Sequence, residues 1–158
     1  MVQPTIIANM GEGNVGKSES IIMVYEKLMN VKEDRKDICE VVEINGINVG
    51  IASDGDTQEI VRRNLYELVD KDCRIILTAC RNNHDFVCLL NECSDKTYNK
   101  KQNYRIWRTS NARIYEEDTH PRVAPKGIQT RFNDNWATEI ANLIDAWCYA
   151  GKEEKEYN

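Results

Sequence analysis

Near the start of the chain, the segment Gly11–Ser18 (GEGNVGKS) carries glycine, lysine and serine at the spacing G-x-x-x-x-G-K-[ST]. This spacing is typical of a tight backbone loop between a strand and a helix. The run Thr5–Asn9 before the segment is β-prone. Apolar residues recur after it at helical spacing, at Ile21, Val24, Tyr25, Leu28 and Met29. We therefore predict a strand, a glycine-rich loop and an amphipathic helix in succession.

The same segment has the chemistry of an anion-binding loop. Its glycines allow the backbone to bend until successive N–H groups point at one phosphate chain. The helix that follows adds its N-terminal amides and the positive end of its dipole. Lys17 is expected to contact the β- and γ-phosphates of a nucleotide, and the Ser18 hydroxyl to bind Mg²⁺. The predicted nucleotide contacts in this segment are Gly11, Gly13, Asn14, Val15, Gly16, Lys17, Ser18 and Glu19.

Length and composition narrow the class of protein. The chain has 158 residues, 41% of them hydrophobic and 30% charged, which predicts a single globular domain over 1–151 and a frayed, charged tail over 152–158. The formal net charge of −5 argues against nucleic acid as a partner. Without a long apolar run or a signal peptide, we expect a cytoplasmic protein that does not contact a membrane. The six cysteines form no CxxC pair, so free and mostly buried thiols are expected rather than a zinc site.

The rest of the chain alternates between β-prone runs and helical patterns. Asn45 and Gly46 separate the runs 41–44 and 47–51, which predicts a hairpin of two antiparallel strands. Further strands are predicted over a continuous apolar run, 74–80, and over 104–109.

Helix boundaries are indicated by capping residues. Asp56 is placed to cap one helix and Asn83 to cap a short second one. A last helix carries an apolar stripe from Trp136 onwards and is predicted to end at Gly151. Residues 113–133 are expected to be irregular, because two prolines in this stretch oppose a long helix.

Strands and helices alternate outside the hairpin, which predicts a three-layered α/β fold. Its sheet should be mostly parallel, with about five strands and one antiparallel strand, and phosphates should bind at the carboxyl ends of the parallel strands. In Gly11–Ser18 and the flanking strand and helix, the chain resembles the P-loop NTPase superfamily. That resemblance implies a P-loop NTPase fold that binds a nucleoside triphosphate and Mg²⁺.

Asp54 follows the second hairpin strand. The order of strand, glycine loop, helix, hairpin and terminal acid resembles that of small GTPases, in which this acid is the Walker B aspartate. The resemblance implies that Asp54 holds Mg²⁺ together with Ser18. The alternative is an ordinary turn aspartate before Gly55.

Two departures from the GTPase pattern concern the base and the switch loop. The segment 54–57 (DGDT) is not the D-x-x-G of GTPases, and the segment 109–112 (TSNA) lacks the aspartate of their guanine-binding motif. The first departure argues against the switch mechanism of GTPases, and the second favours ATP over GTP. Ser110 and Asn111 are still expected to border the base, because their loop follows a late strand.

Other charged residues are candidates for chemistry at the γ-phosphate. Asp56 could act as a base or orient a water molecule, although a helix cap is the simpler interpretation. Arg81 directly follows the buried strand 74–80, where it could bind phosphate or be solvated. The acid-free segment 96–113 contains six basic residues, which could form a phosphate-binding rim, a nucleic-acid patch or a solvated loop: Lys96, Lys100, Lys101, Arg105, Arg108 and Arg113.

These patterns together predict a nucleotide-dependent protein. The leading hypothesis is an ATP hydrolase in which Lys17, Asp54, Asp56 and Arg81 take part in catalysis and Ser18 and Asp54 bind the metal. One alternative is a small-molecule or nucleotide kinase whose acceptor is held by the basic rim. Another is a nucleotide-sensing module that binds a protein partner and has little turnover.

Overall fold

The computed structural model describes residues 2–11, 16–111, 114–117, 120–123 and 126–157, with side chains over 2–11, 16–111 and 130–150. In chain order the elements are β1 (Thr5–Met10), α1 (Lys17–Met29), β2 (Cys39–Ile44), β3 (Ile47–Ala52), α2 (Gln58–Asp70), β4 (Ile75–Cys80), α3 (His84–Ser94), α4 (Lys96–Asn99), β5 (Arg105–Thr109), β6 (Ile114–Glu117), β7 (His120–Val123) and α5 (Lys126–Tyr157).

The main sheet contains five strands in the order β2-β3-β4-β1-β5. Strands β3, β4, β1 and β5 are parallel, and β2 pairs antiparallel with β3. The predicted α/β sheet, mostly parallel with one antiparallel strand, is thus confirmed. So is the hairpin, whose turn residues Asn45 and Gly46 have φ of 51° and 81°. Both values lie in the left-handed region that a two-residue hairpin turn of this type requires.

Helices cover both faces of this sheet because its central strands are apolar on both sides. On one face, Ile7, Ile75 and Leu77 pack against buried residues of α1 and α5. On the other face, Ile6 and Ile76 pack against buried residues of α2 and α3. Successive residues of β1 and β4 therefore belong to different cores, as the two-residue period of a strand requires.

The chain reverses its direction across the sheet at β1. From β1 it passes by α1 towards β3, returns by α2 to β4, and then passes by α3 to β5 on the far side of β1. In open α/β sheets, ligands bind at such a reversal, beyond the carboxyl ends of the strands. We call the described loop residues there, 11, 16, 53–57, 81–83 and 110–111, the carboxyl edge. The opposite loops, residues 2–4, 45–46, 71–74 and 100–104, form the amino edge.

Three local predictions are wrong. Helix α2 is capped by Thr57 rather than Asp56, since the Thr57 hydroxyl accepts a hydrogen bond from the N–H of Ile60. Residues 113–133 are not irregular throughout, because β6 and β7 form an antiparallel pair and α5 begins at Lys126. Helix α5 also continues past Gly151, where its end was predicted, to Tyr157.

The cysteines behave as the sequence predicts. All six are free thiols, and Cys73, Cys80, Cys93 and Cys148 are buried. Burial raises the pKa of the Cys80 thiol to about 12, against a smaller lowering effect of the Lys17 charge. These four thiols are therefore part of the cores. Among the helices described here, none combines the length and the apolar character needed to span a membrane.

Candidate functional site

The glycine loop leaves β1 and leads into α1, as predicted. Gly11 is buried, and its N–H donates to the Cys80 carbonyl at 3.1 Å, so the start of the loop remains attached to β4. Helix α1 begins at Lys17, directly after Gly16. The predicted contacts Gly13, Asn14 and Val15 lie outside the described residues. Both ends of the loop are therefore held by regular structure at the carboxyl edge.

Gly16 is the position where the loop requires glycine. Its φ is 78° and its ψ is 32°, a left-handed conformation that is costly for other residues. A Cβ atom at this position would also lie 2.5 Å from Nδ2 of Asn133, which is too close. The Gly16 carbonyl accepts hydrogen bonds from the N–H of Ser20 at 2.9 Å and from its hydroxyl at 2.6 Å. Conformation, packing and hydrogen bonding thus all determine the backbone direction at the entrance to α1.

Lys17 is a buried lysine, with 7% of its surface exposed. Its Nζ donates to the Gly11 carbonyl at 2.8 Å, so the Lys17 side chain links the start of α1 to the end of β1. A buried ammonium is costly unless polar or charged groups compensate it. A phosphate group in the loop would provide such compensation more strongly than a neutral carbonyl.

Ser18 connects α1 to the end of β3. Its hydroxyl donates to the Ser53 carbonyl at 2.7 Å, and Ser53 immediately precedes Asp54. The two predicted metal ligands, Ser18 and Asp54, therefore lie in neighbouring segments, even though β4 separates β3 from β1. The Asp54 carboxylate accepts the N–H of Asp56 at 3.1 Å. Asp54 thus has a turn-forming role in this structure, which was the alternative interpretation of this residue.

Ser53 also joins the site to the loop before β2. Its hydroxyl accepts the N–H of Ile38 at 2.8 Å and contacts the Asp37 carboxylate at 3.1 Å. Because β2 is antiparallel, its first residues lie at the carboxyl edge. Neither Ser53 nor Asp37 was predicted from the sequence. Asp37 lies in a charged stretch without a motif, and Ser53 belongs to no motif either.

The segment after β3 passes close to the end of β4. A Cβ atom at Gly55 would lie 2.5 Å from the carbonyl carbon of Ala79 and 2.6 Å from its oxygen, so a side chain does not fit here. The exposed Arg81 donates from Nε to the Asp56 carbonyl at 3.1 Å. The structure therefore brings the two predicted catalytic residues Asp56 and Arg81 together at the carboxyl edge.

Three buried asparagines form a cluster that reaches Gly16. Asn9 lies near the end of β1, Asn111 follows β5, and Asn133 lies on α5. Asn9 and Asn111 are linked by side-chain hydrogen bonds, as are Asn111 and Asn133. The sequence predicted that Asn111 borders a base, but its side chain is buried and contacts the other two asparagines. Ser110, the second predicted base contact, is half-buried in the same loop.

Several basic residues of the segment 96–113 lie at the opposite end of the sheet from the glycine loop. Helix α3 starts at the carboxyl edge and returns the chain to the amino edge, where α4 and the start of β5 lie. There Nζ of Lys101 pairs with Asp72 at 3.4 Å, and the Arg105 guanidinium stacks on Trp107 and Trp147. Arg108 is exposed one residue before the end of β5, and Arg113 lies outside the described residues.

The described carboxyl edge thus offers a lysine, an arginine, two serines and carboxylates, with backbone groups at close range. No cluster of three or more His, Cys, Asp or Glu side chains suited to a metal ion occurs in the described part of the chain. Comparisons with protein-family models, curated proteins and solved structures find no match for this chain. Its function must therefore be argued from this geometry.

Proposed function

We propose that this protein binds Mg·ATP in the glycine loop 11–18 and transfers the γ-phosphoryl group to water, giving ADP and inorganic phosphate. One observation carries the proposal. The buried Lys17 ammonium lies 2.8 Å from the Gly11 carbonyl, at the carboxyl edge of a mostly parallel sheet. A cation held in this way, with helix amides beside it, is suited to a triphosphate. Helices on both faces of the sheet also support a P-loop NTPase fold.

Phosphate binding would exchange internal contacts for contacts to the ligand. Lys17 would leave the Gly11 carbonyl and pair with the β- and γ-phosphates, gaining a charge-assisted hydrogen bond. Arg81, beside the Asp56 carbonyl, would neutralise charge that develops on the transferred group. Asp56 is exposed and would orient the attacking water.

The oxygen donors next to Lys17 fit Mg²⁺, a hard cation that usually takes one or two protein ligands and completes its shell with phosphates and water. The Ser18 hydroxyl, now on the Ser53 carbonyl, and the Asp54 carboxylate would hold it. When bound, Mg²⁺ would add positive charge against the β- and γ-phosphate oxygens. In this proposal the protein supplies positioning and charge, which account for most of the catalysis in phosphoryl transfer.

Water is favoured as the acceptor over a second substrate. The kinase alternative depends on a basic rim, but Lys101 and Arg105 lie at the amino edge. The sensing alternative has a specific observation in its favour. The Asp54 carboxylate accepts the N–H of Asp56. Because this hydrogen bond competes with metal binding, slow turnover would be expected. We therefore keep a nucleotide sensor with little hydrolysis as the second candidate.

The test is release of inorganic phosphate from Mg·ATP by the whole chain. We expect acceptor-independent release that Lys17→Ala reduces at least about 100-fold, because that variant removes the charge at the transferring group. Lys71→Ala is the matched control, since it removes an exposed ammonium at the amino edge and should leave the rate unchanged. Equal rates in the two variants would contradict the hydrolase proposal. Tight ATP binding without release would select the sensor, and release only with an added acceptor would select the kinase.

A further inference from the structure

The three buried asparagines form a directed chain of hydrogen bonds that ends next to Gly16. Nδ2 of Asn9 donates to Oδ1 of Asn111 at 2.9 Å, and the Asn111 N–H donates back to Oδ1 of Asn9 at 3.2 Å. Nδ2 of Asn111 then donates to Oδ1 of Asn133 at 2.6 Å. Each residue is at least 96% buried. The chain thus connects β1, the loop after β5 and α5, which are far apart in sequence.

Hydrogen-bond direction determines which end of each amide faces the next residue. The backbone N–H of Asn111 requires the oxygen of Asn9, so the Asn9 amino group turns to Asn111. Asn111 accepts with its oxygen, which leaves its amino group to donate to Oδ1 of Asn133. Nδ2 of Asn133 is therefore turned away from Asn111 and lies against Gly16, 2.5 Å from the position of a Cβ atom there.

This orientation places a donor group, rather than an acceptor, next to the loop. The amide hydrogens carry partial positive charge, which is favourable beside an anion, whereas the carbonyl end would be repelled by phosphate. Burying polar side chains is not required for stability, because well-packed apolar residues of similar size often serve equally well. Because the series of buried asparagines ends at the backbone of Gly16, we expect it to act on the conformation of that residue.

We infer that Asn133 is a positioning residue of the glycine loop, and that Asn9 and Asn111 hold its amino group towards Gly16. The inference deepens the proposed function and rests on it for the effect on nucleotide. In this arrangement Asn133 packs against Gly16, supports its left-handed backbone and presents the partial positive charge of its amino group there. The role is exerted through Gly16 rather than by contact with the reacting atoms.

Asn133→Asp separates this role from packing. The variant keeps the oxygen that Asn111 requires but replaces the amino group by a carboxylate oxygen next to Gly16. At pH 8 we expect its Kd for Mg·ATP, measured by titration calorimetry, to rise about 30-fold or more, because a negative charge within several ångströms of the phosphates repels them. At pH 5.5 the buried acid should be largely protonated, since burial disfavours the charged form. The deficit relative to wild type at the same pH should then fall below about fivefold.

Asn142→Asp is the matched control. It adds the same charge on an exposed position of α5, nine residues from Asn133 and about 13 Å further along the helix. Its Kd for Mg·ATP should stay within about twofold of wild type at both pH values. Asn133→Asp affinity equal to wild type at pH 8 would overturn the inference. A loss of the same size at both pH values would also overturn it, because packing alone would then explain the effect.

A measurement without nucleotide distinguishes failure of this inference from failure of the proposed function. Amide hydrogen exchange over residues 16–20 should be at least about threefold faster in Asn133→Ala than in wild type, and unchanged in Asn142→Ala. Circular dichroism establishes that both variants are folded. If wild type binds no nucleotide, the proposed function fails and this comparison alone decides the positional role. Equal exchange over residues 16–20 in wild type and Asn133→Ala would then overturn it.

Discussion

At the carboxyl edge Lys17 is buried, and Lys17 and Ser18 bind backbone carbonyls, whereas at the amino edge exposed charged side chains pair with one another. Lys17 and Ser18 donate to the Gly11 and Ser53 carbonyls. At the other edge Lys101 pairs with Asp72, and both side chains are largely exposed. By composition alone, the basic segment 96–113 is the better anion site. Its residues Lys101 and Arg105 lie at the amino edge, however, and Lys101 is an ordinary surface charge there.

For an anion-binding site in this protein, the burial of a charge and its position in the sheet therefore matter more than the number of charges. An exposed ion pair contributes little free energy, because water screens it and two long side chains must be ordered. A buried ammonium must be compensated by the protein or by a ligand. The carboxyl edge therefore contains a charged group that a bound anion can stabilise, as is common in binding sites.

The largest difference between the edges is expected for alanine substitution at glycine. Gly55→Ala should lower the free energy of unfolding by about 3 kcal/mol, because its Cβ would collide with the backbone of Ala79, which cannot move aside. Gly46→Ala is the control at the amino edge. It has a φ of 81° but nothing within 4 Å of the added atom, so its cost should be about 1 kcal/mol. Urea denaturation of both variants gives the values. Equal costs would contradict the close packing assigned to the carboxyl edge.

A smaller effect is expected at Ser53. Ser53→Ala removes the acceptor of the buried Ile38 N–H and the contact with Asp37, so we expect a loss of about 2 kcal/mol in unfolding free energy. The Ser18 hydroxyl should keep its partner, because that partner is the Ser53 backbone. Mg·ATP affinity should therefore change less than about threefold. Denaturation of this variant measures the contribution of Ser53 to stability, and calorimetry measures its contribution to Mg·ATP binding. A large loss of affinity with unchanged stability would reverse these two roles.

The smallest effect is expected at the amino edge. Asp72→Asn removes the exposed partner of Lys101 and should change the unfolding free energy by less than about 0.5 kcal/mol. Asparagine also tolerates the left-handed φ of 61° at this position, so backbone strain does not confuse the result. Thermal unfolding at low and high salt provides the measurement. A change above 1 kcal/mol would show that the amino edge also depends on specific charge contacts.

Local sequence patterns predicted the parts of the fold that depend on neighbouring residues. The turn Asn45–Gly46 requires positive φ, and Asn83 caps α3 by accepting the N–H of Phe86. Asp56 and Thr57 are adjacent residues that can both cap a helix, and the sequence cannot choose between them. The sequence alone also does not indicate that α3 returns the chain to the amino edge, so that Lys101 and the start of β5 lie away from the site.

The support of the candidate site could not be predicted in the same way. Asn9 and Asn111 are 102 positions apart, and Asn133 is 22 positions further along the chain. Asparagine is common in turns and at helix ends, so none of the three has a local signal. The Ser18 contact with Ser53 likewise spans 35 positions and exists because α1 and the end of β3 meet at one edge. The motif predicted the loop, while the tertiary fold determines what holds it.

Titration calorimetry of the whole chain with Mg·ATP tests the central claim most directly, with Lys17→Ala and Lys71→Ala measured alongside. We expect saturable binding by wild type, the same affinity within about twofold for Lys71→Ala, and a loss of about 10- to 100-fold for Lys17→Ala. No binding by wild type, or equal affinity in all three proteins, would contradict the claim that the buried lysine and its glycine loop form a triphosphate site.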